Sequence, residues 1–266
     1  MLNLNSELVL AKKAATTAGK ILQEKKVEIN NVLSDQERDV KLEADQASEK
    51  IIKDIIQAES DIPILAEESG ADGELDKNFW VIDPLDGTSN YSRDMPICCV
   101  SIGLICEDRP ALGVIYDFNA HHLYEGITPS FSNSGELTAK KDGRSISVSG
   151  IDDKKKATLA TGLPAKGAFD EDSMSKLANE FTNWKKVRMI GSAAMSCAYV
   201  AAGQFDQYQE SGIFLWDIAA GLAIIEAAGG AYIFHNLDDD KFKVNVVAHN
   251  NNCLLYTSPS PRDRSL

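Results

Sequence analysis

The chain has 266 residues, of which 44% are hydrophobic and 25% charged, with a formal net charge of −13. That length and apolar content suffice for one large domain or two closely joined lobes, and the acidic balance argues against nucleic acid or an anionic membrane as the main partner. The five cysteines form no C-x-x-C pair and no apolar run is long enough to span a bilayer, so the sequence reads as a reduced, cytoplasmic protein without a signal peptide or zinc finger.

Leu8, Ala11, Ala15, Ala18 and Leu22 follow a 3-4-3-4 spacing that predicts an amphipathic first helix. After a polar loop, DVKLEADQASEKIIKDIIQAES predicts a second helix. It carries Ala47, Ile51 and Ile55 on one face and Asp45 and Glu49 near its start, and ends at Asp61 and Pro63. PILA is a short strand that delivers Glu67 and Glu68, and NFWVID is the next strand. PICCVSIGLICED and RPALGVIYDF predict an antiparallel hairpin with Pro110 in its turn, extended by HHLYEGI. RSISVSG is a weaker strand, and IDDKKK is a solvated linker.

The second half alternates. ATLATG, KKVRMI, FDQYQE, AYIF and KVNVVAH read as strands, while Glu171–Phe181, SAAMSCAYVAAG and WDIAAGLAIIEAAGG read as helices. The mixed pattern implies stacked layers of sheet and helix, an α/β (mixed α+β) fold. It suggests an N-terminal lobe over 1–150, antiparallel-rich, and a C-terminal α/β lobe over 151–250. Residues 251–266 break character with Ser, Pro and Arg where a last helix would be expected, and read as a disordered or foreign tail.

The chemistry concentrates in WVIDPLDGTSN. A strand brings Asp83 to its carboxyl end, Pro84 shapes the turn, Asp86 follows, and Gly87 lets the backbone approach a ligand. A helix starting near Leu85–Thr88 would offer free N–H groups to an anion. Crowded carboxylates repel one another and are costly to desolvate, so a cation between them is the economical explanation. Oxygen donors without His or Cys favour Mg²⁺. Helix capping is the bland alternative for Asp83, Asp86 and Asp217, and solvated acids the bland alternative for Glu67 and Glu68. Trp216 reads as core. An aspartyl-phosphate mechanism is rejected: it needs D-x-D-G-T, and this chain has D-P-L-D-G-T, which sends the two side chains to different sides.

AEES, WVIDPLDGTSNYSRDMPICCVSIGL, GSAAMSCAYVAAGQFDQY and ESGIFLWDIAAGLAIIEAAGG resemble the inositol monophosphatase family, within the Mg²⁺-dependent, lithium-sensitive phosphatases that include fructose bisphosphatases and bisphosphate nucleotidases. The resemblance runs from the first helix to about His249. It implies a layered α-β-α-β-α sandwich and a site for two or three Mg²⁺ ions held by Glu67, Asp83, the Leu85 carbonyl, Asp86 and Asp217. It implies Thr88, Glu67 and Asp45 as the residues that aim an attacking water. It implies Gly87 and Thr88 as a phosphate cradle, and Gly191, Ser192, Ala193 and Glu210 as contacts to the substrate. The segment VKLEAD departs from the family pattern, with Ala44 where Thr is common and a Lys at position 41.

The leading expectation is a metal-dependent phosphomonoesterase of inositol or sugar phosphates, with a small phosphorylated substrate as partner and a homodimer as the candidate assembly. A 3′(2′),5′-bisphosphate nucleotidase is the enzyme alternative, for which Phe214 is the one nearby candidate for stacking a base. A non-catalytic regulator that binds metal or phosphate is the alternative of another class. It would be expected to lack a ligand or the Thr, whereas Glu67, Asp83, Asp86, Thr88 and Asp217 are all present.

Overall fold

The computed structural model describes residues 2–36, 39–132, 135–163, 171–237 and 240–252. The expected tail therefore lies, from 253 onward, outside the described residues. Helix α1 (Leu4–Glu24) is capped by Asn3, whose Oδ1 accepts the N–H groups of Asn5 and Ser6, and it buries Ala11, Ala15, Ala18 and Leu22 as their spacing predicts. A short α2 (Lys26–Ile29) follows, then a hairpin of β1 (Val32–Gln36) and β2 (Asp39–Leu42), then α3 (Glu43–Gln57).

The second helix thus starts four residues later than its sequence pattern suggests, because Asp39–Leu42 pairs with β1. Its buried face also differs from the expected one: Ala44, Asp45, Ser48, Glu49, Ile52 and Ile56 point inward, and Ile51 and Ile55 are only partly buried. Hydrophobicity alone misplaces this face because three of its members are polar.

The first sheet has eight strands in the order β10-β9-β8-β7-β6-β5-β3-β4. In chain order these are β3 (Ile64–Ala66), β4 (Gly70–Ala71), β5 (Phe79–Asp86), β6 (Cys99–Cys106), β7 (Arg109–Asp117), β8 (His122–Ile127), β9 (Lys140–Lys141) and β10 (Arg144–Ser145). Between β5 and β6 lies the five-residue α4 (Thr88–Ser92). The β6–β7 hairpin turns through Glu107 and Asp108, both at positive φ, and Pro110 lies within β7 instead of the turn. RSISVSG contributes only Arg144–Ser145 to a strand.

The second sheet, ordered β12-β11-β13-β15-β14, uses β11 (Thr158–Thr161), β12 (Lys186–Arg188), β13 (Gln207–Phe214), β14 (Ala231–Leu237) and β15 (Asp240–His249). Its helices are α5 (Glu171–Thr182), α6 (Ala193–Ala201) and α7 (Leu215–Ala227).

The layers follow from which faces are apolar. Helices α1 and α3 cover one face of the first sheet. Helix α7 packs against β5–β8 on one side and β13–β15 on the other, and is buried on nearly every side as a helix between two sheets must be. Gly113 makes this approach possible: a Cβ there would overlap the Ala220 carbonyl oxygen. On β11, Ala160 faces α6 while Leu159 packs outward with Phe181 and Trp184 near α5. The result is the expected α-β-α-β-α sandwich. Because both faces of the first sheet are covered, β5 and β6 are buried along their whole length.

Candidate active site

Strands β3 and β5 are parallel neighbours, pairing Ile64 with Trp80 and Ala66 with Ile82. Parallel pairing brings their carboxyl ends together, so Glu67 and Glu68 leave β3 beside Asp83 of β5. The Glu67 N–H donates to the Ile82 carbonyl at 3.1 Å and continues that register. Strand β5 runs on through Pro84 to Asp86, with an irregularity in its pairing to β6 between Asp83 and Asp86. Proline cannot donate to the ladder, which accounts for the break.

Gly87 then takes a left-handed conformation at φ 88°, and α4 starts at Thr88. A side chain at Gly87 would meet the Ile97 carbonyl oxygen at 2.8 Å, so both backbone angle and space demand glycine. Neither Asp83 nor Asp86 caps α4. Asp83 Oδ1 accepts the Leu85 N–H at 3.0 Å. Asp86 reaches α6 instead: Ser192 Oγ donates to Oδ2 at 2.5 Å, and the N–H groups of Ala193 and Ala194 donate at 3.2 and 2.7 Å. Three donors at a helix amino end suit a carboxylate.

The segment expected to face the substrate, Gly191, Ser192 and Ala193, therefore also anchors Asp86, while lining the adjoining cavity. Asn90 ties the same two parts together, donating to the carbonyls of Ile97 (2.7 Å), Ile190 (2.8 Å) and Gly191 (3.3 Å).

Asp45 and Asp217 each sit in the first turn of a helix. Asp45 Oδ2 accepts the Leu42 N–H at 2.6 Å, and Asp217 Oδ2 accepts the Phe214 N–H at 2.9 Å. The capping reading of Asp217 is thus correct in part, since one oxygen closes the start of α7. Thr88 Oγ1 lies 3.1 Å from Asp45 Oδ1 and 2.9 Å from the Leu85 carbonyl oxygen. A hydroxyl has one proton and two lone pairs, so it donates to one of these and keeps acceptor capacity for a third group. Sequence reasoning missed Ser48, which donates to the Pro84 carbonyl at 2.7 Å and holds the β5 turn against α3.

Electrostatically the cluster is under strain. Desolvation, then mutual repulsion, pushes Glu67 and Asp83 well above the usual carboxyl range. Asp217 rises for the same reason, with Asp86 as the like charge that raises it most. Burial raises Asp86 too, against hydrogen bonds from Ser192 and α6 that lower it, and raises Asp45 to about 7. Asp83, Glu67 and Asp217 are thus each held toward the neutral form by burial and by the charges of the others.

Among the described residues no three acidic, His or Cys side chains close around one point. The donor set fits a hard divalent cation on chemical grounds, because it is all oxygen, buried and mutually repulsive. A cation among such acids would favour the charged forms that burial and mutual repulsion disfavour.

Beside the cluster opens a cavity of about 440 Å³, with Asp86 and Asp217 at one end and Thr161, Gly162, Met189, Tyr208, Glu210 and Ile213 around the rest. Tyr208 Oη donates to Glu210 Oε2 at 2.9 Å, and burial raises Glu210 to about 7. Phe214 does not face this space. Its ring stacks on Trp216 at 4.6 Å and 7°, with Lys243 Nζ 5.3 Å from its centroid. Tyr208 was not singled out from sequence, although it stands two residues before Glu210 on one strand, where both side chains share a face.

Comparison with known proteins gives concordant results. The sequence model of the "Inositol monophosphatase family" matches residues 3–255. An "Inositol-1-monophosphatase" of Synechocystis is 40% identical over 72% of this chain and 66% of its own length. A "Nus factor SuhB" of Xylella fastidiosa is 36% identical over 82% and 78%. A "Fructose-1,6-bisphosphatase/inositol-1-monophosphatase" of Aquifex aeolicus is 35% identical over 87% of each chain. Among solved structures, the inositol monophosphatase of Anabaena superposes with a TM-score of 0.76 at 34% identity, covering 94% of this chain and 92% of that one.

Proposed function

The chain belongs to the inositol monophosphatase family and is a phosphoric monoester hydrolase of sugar phosphates, and on that premise we propose that it is a Mg²⁺-dependent phosphatase whose preferred substrates are inositol monophosphate and related sugar monophosphates. One observation carries the preference. The cavity beside the carboxylates holds an acceptor, Glu210, and no Lys or Arg among its described lining residues. A polyol hydroxyl can donate to Glu210, whereas a second phosphate would meet a carboxyl group with no cation to offset it. Phe214, the candidate for stacking a base, is already stacked on Trp216, which argues against the nucleotidase reading.

In this reading Glu67, Asp83, the Leu85 carbonyl, Asp86 and Asp217 hold the Mg²⁺ ions. When bound, Mg²⁺ supplies Lewis acidity, which offsets phosphate charge and makes water a better nucleophile near neutral pH. The protein's own part is positioning. Thr88 donates to Asp45 and turns its free lone pairs outward to orient a water, and Asp45, with its pKa near 7, is matched to accept a proton. Glu67 flanks that water. Asp86 is immobilised by α6, and the backbone at Gly87 and Thr88 faces the phosphate. Glu210, steadied by Tyr208, fixes the alcohol so that the P–O bond lies in line with the water.

The test is phosphate release from inositol 1-phosphate, fructose 1,6-bisphosphate and adenosine 3′,5′-bisphosphate, each in Mg²⁺, in EDTA and in Mg²⁺ with lithium. The reading expects the inositol ester to turn over fastest, EDTA to abolish turnover and lithium to inhibit it. Faster hydrolysis of either bisphosphate would overturn the substrate assignment, and undiminished turnover in EDTA would overturn the metal assignment.

A further inference from the structure

Gly162 and Glu210 both line the cavity beside the acids, and they come from neighbouring parallel strands. Strands β11 and β13 pair Ala160 with Tyr208 and Thr161 with Gln209, so one further step sets Gly162 level with Glu210 at the carboxyl end of β11. Residues two apart on a strand share a face, which puts Ala160 and Gly162 on the side of Tyr208 and Glu210. Small residues on β11 thus stand opposite large ones on β13. Ala160 and Tyr208 are both buried, so the first of these pairs is core packing. The second opens on the cavity.

The backbone of Gly162 lies outside the left-handed region, so conformation alone would admit any residue there. Space does not. A Cβ at Gly162 would overlap Oε1, Oε2 and Cδ of Glu210. The Glu210 carboxyl therefore rests where a side chain at 162 would begin, and there its Oε2 accepts the Tyr208 hydroxyl at 2.9 Å. The obstacle is the free end of a side chain, unlike the Ala220 carbonyl that faces Gly113. A methyl group at 162 would therefore displace the carboxyl and leave the strand in place.

We propose that Gly162 is a positioning residue for substrate recognition: its missing side chain lets the Glu210 carboxyl settle against the end of β11, held by Tyr208, in the place from which it accepts a polyol hydroxyl. This rests on the reading of Glu210 as the acceptor of a substrate hydroxyl. Gly162 acts only through Glu210, and any side chain at 162 would push the carboxyl out of the place it shares with Tyr208.

The experiment measures kcat and KM for inositol 1-phosphate in Mg²⁺ with the full-length native chain, Gly162→Ala, Glu210→Gln, Glu210→Asp and the double variant Gly162→Ala/Glu210→Asp. Gly162→Ala is expected to raise KM roughly tenfold, the scale of a lost hydrogen bond to a charged group, and to change kcat less. Asp is one methylene shorter than Glu and holds its carboxyl clear of a methyl at 162. The double variant is therefore expected to match Glu210→Asp, with no further rise in KM. A merely structural role for Gly162 would impose the same cost in both backgrounds. Gly162→Ser takes the place of Gly162→Ala throughout if the latter does not fold, as judged by circular dichroism. With KM raised in Glu210→Gln, an unchanged KM in Gly162→Ala, or an undiminished cost of Gly162→Ala in the Glu210→Asp background, overturns this proposal alone. An unchanged KM in Glu210→Gln, or no turnover by the native protein, overturns the reading of Glu210 and this proposal with it.

Discussion

Asp83 and Glu210 are both carboxyl groups whose pKa is raised chiefly by desolvation, and both feel the charge of Asp86, yet their other surroundings differ. The ionisable groups that act on Asp83 are other acids, Glu67, Asp86 and Asp217, and among the described residues it accepts one backbone N–H, that of Leu85. Around Glu210 the chain supplies a dedicated donor, the Tyr208 hydroxyl. A buried acid paired with an internal donor is complete by itself, whereas a group of buried acids is complete only with something from outside. Under the proposed function, the difference separates a place that would hold cations from a place that would take a hydroxyl.

Removing one of the crowded acids should separate the two places most sharply. Asp83→Asn is expected to lower kcat/KM by roughly 10³-fold or more, the scale of a lost metal or transition-state contact. In EDTA the same variant should melt higher than the native protein, because a source of repulsion is gone. Steady-state kinetics with Mg²⁺ and calorimetry without it check the two halves, and an unchanged melting temperature would count against mutual repulsion as the dominant cost.

The next effect is a pH dependence. A carboxyl group with a folded-state pKa above its unfolded value stabilises the fold below the unfolded pKa and loses that contribution as pH rises through the folded pKa. For Glu210 the window runs from 4.5 to about 7. At about 1.4 kcal/mol per pH unit the loss is roughly 3 kcal/mol. Metal-free protein is therefore expected to be less stable at pH 8 than at pH 5, and Glu210→Gln should flatten part of that slope in urea titrations. Saturating Mg²⁺ should flatten the part due to the acid cluster and leave the Glu210 part.

Thr88→Val keeps the shape of the side chain and removes the hydroxyl that bridges Asp45 and the Leu85 carbonyl. It is expected to lower kcat by about 10²-fold, as for loss of a positioned proton-handling group, with little change in metal affinity. Tyr208→Phe should give the smallest effect. It removes a single hydrogen bond, worth about 1 kcal/mol, and should raise KM for a polyol phosphate several-fold with kcat nearly intact. A kcat loss as large as that of Thr88→Val would mean that the cavity end takes part in the chemistry and not only in binding.

Legibility in the sequence followed the physics of each signal. The helix α1 stripe, the β6–β7 hairpin and the long apolar α7 were readable because packing demands apolar residues at a fixed period. The β1–β2 hairpin and the start of α3 were not, because VKL followed by EADQ fits a helix pattern equally well and only pairing with Val32–Gln36 decides the matter. The inward turn of Asp45, Ser48 and Glu49 was equally hidden, since a rule that buries apolar residues assigns polar ones to solvent.

By itself the sequence determined the inventory of the candidate site: the acids at the ends of two apolar strands, a glycine that frees the backbone at 87, a hydroxyl at 88 and an acid at the start of α7. These are local properties of short segments, and chemistry that needs oxygen donors in a fixed order leaves its trace in that order. Tertiary structure alone decided the partnerships. Asp86 belongs to the amino end of α6, more than a hundred residues away, Asn90 to the carbonyls of Ile190 and Gly191, Lys41 to Glu68, and Phe214 to Trp216 instead of the cavity. Hydrogen bonds and ion pairs act over about 3 Å in space whatever the separation along the chain, so which groups meet is settled only when the two sheets close around the layer of α6 and α7.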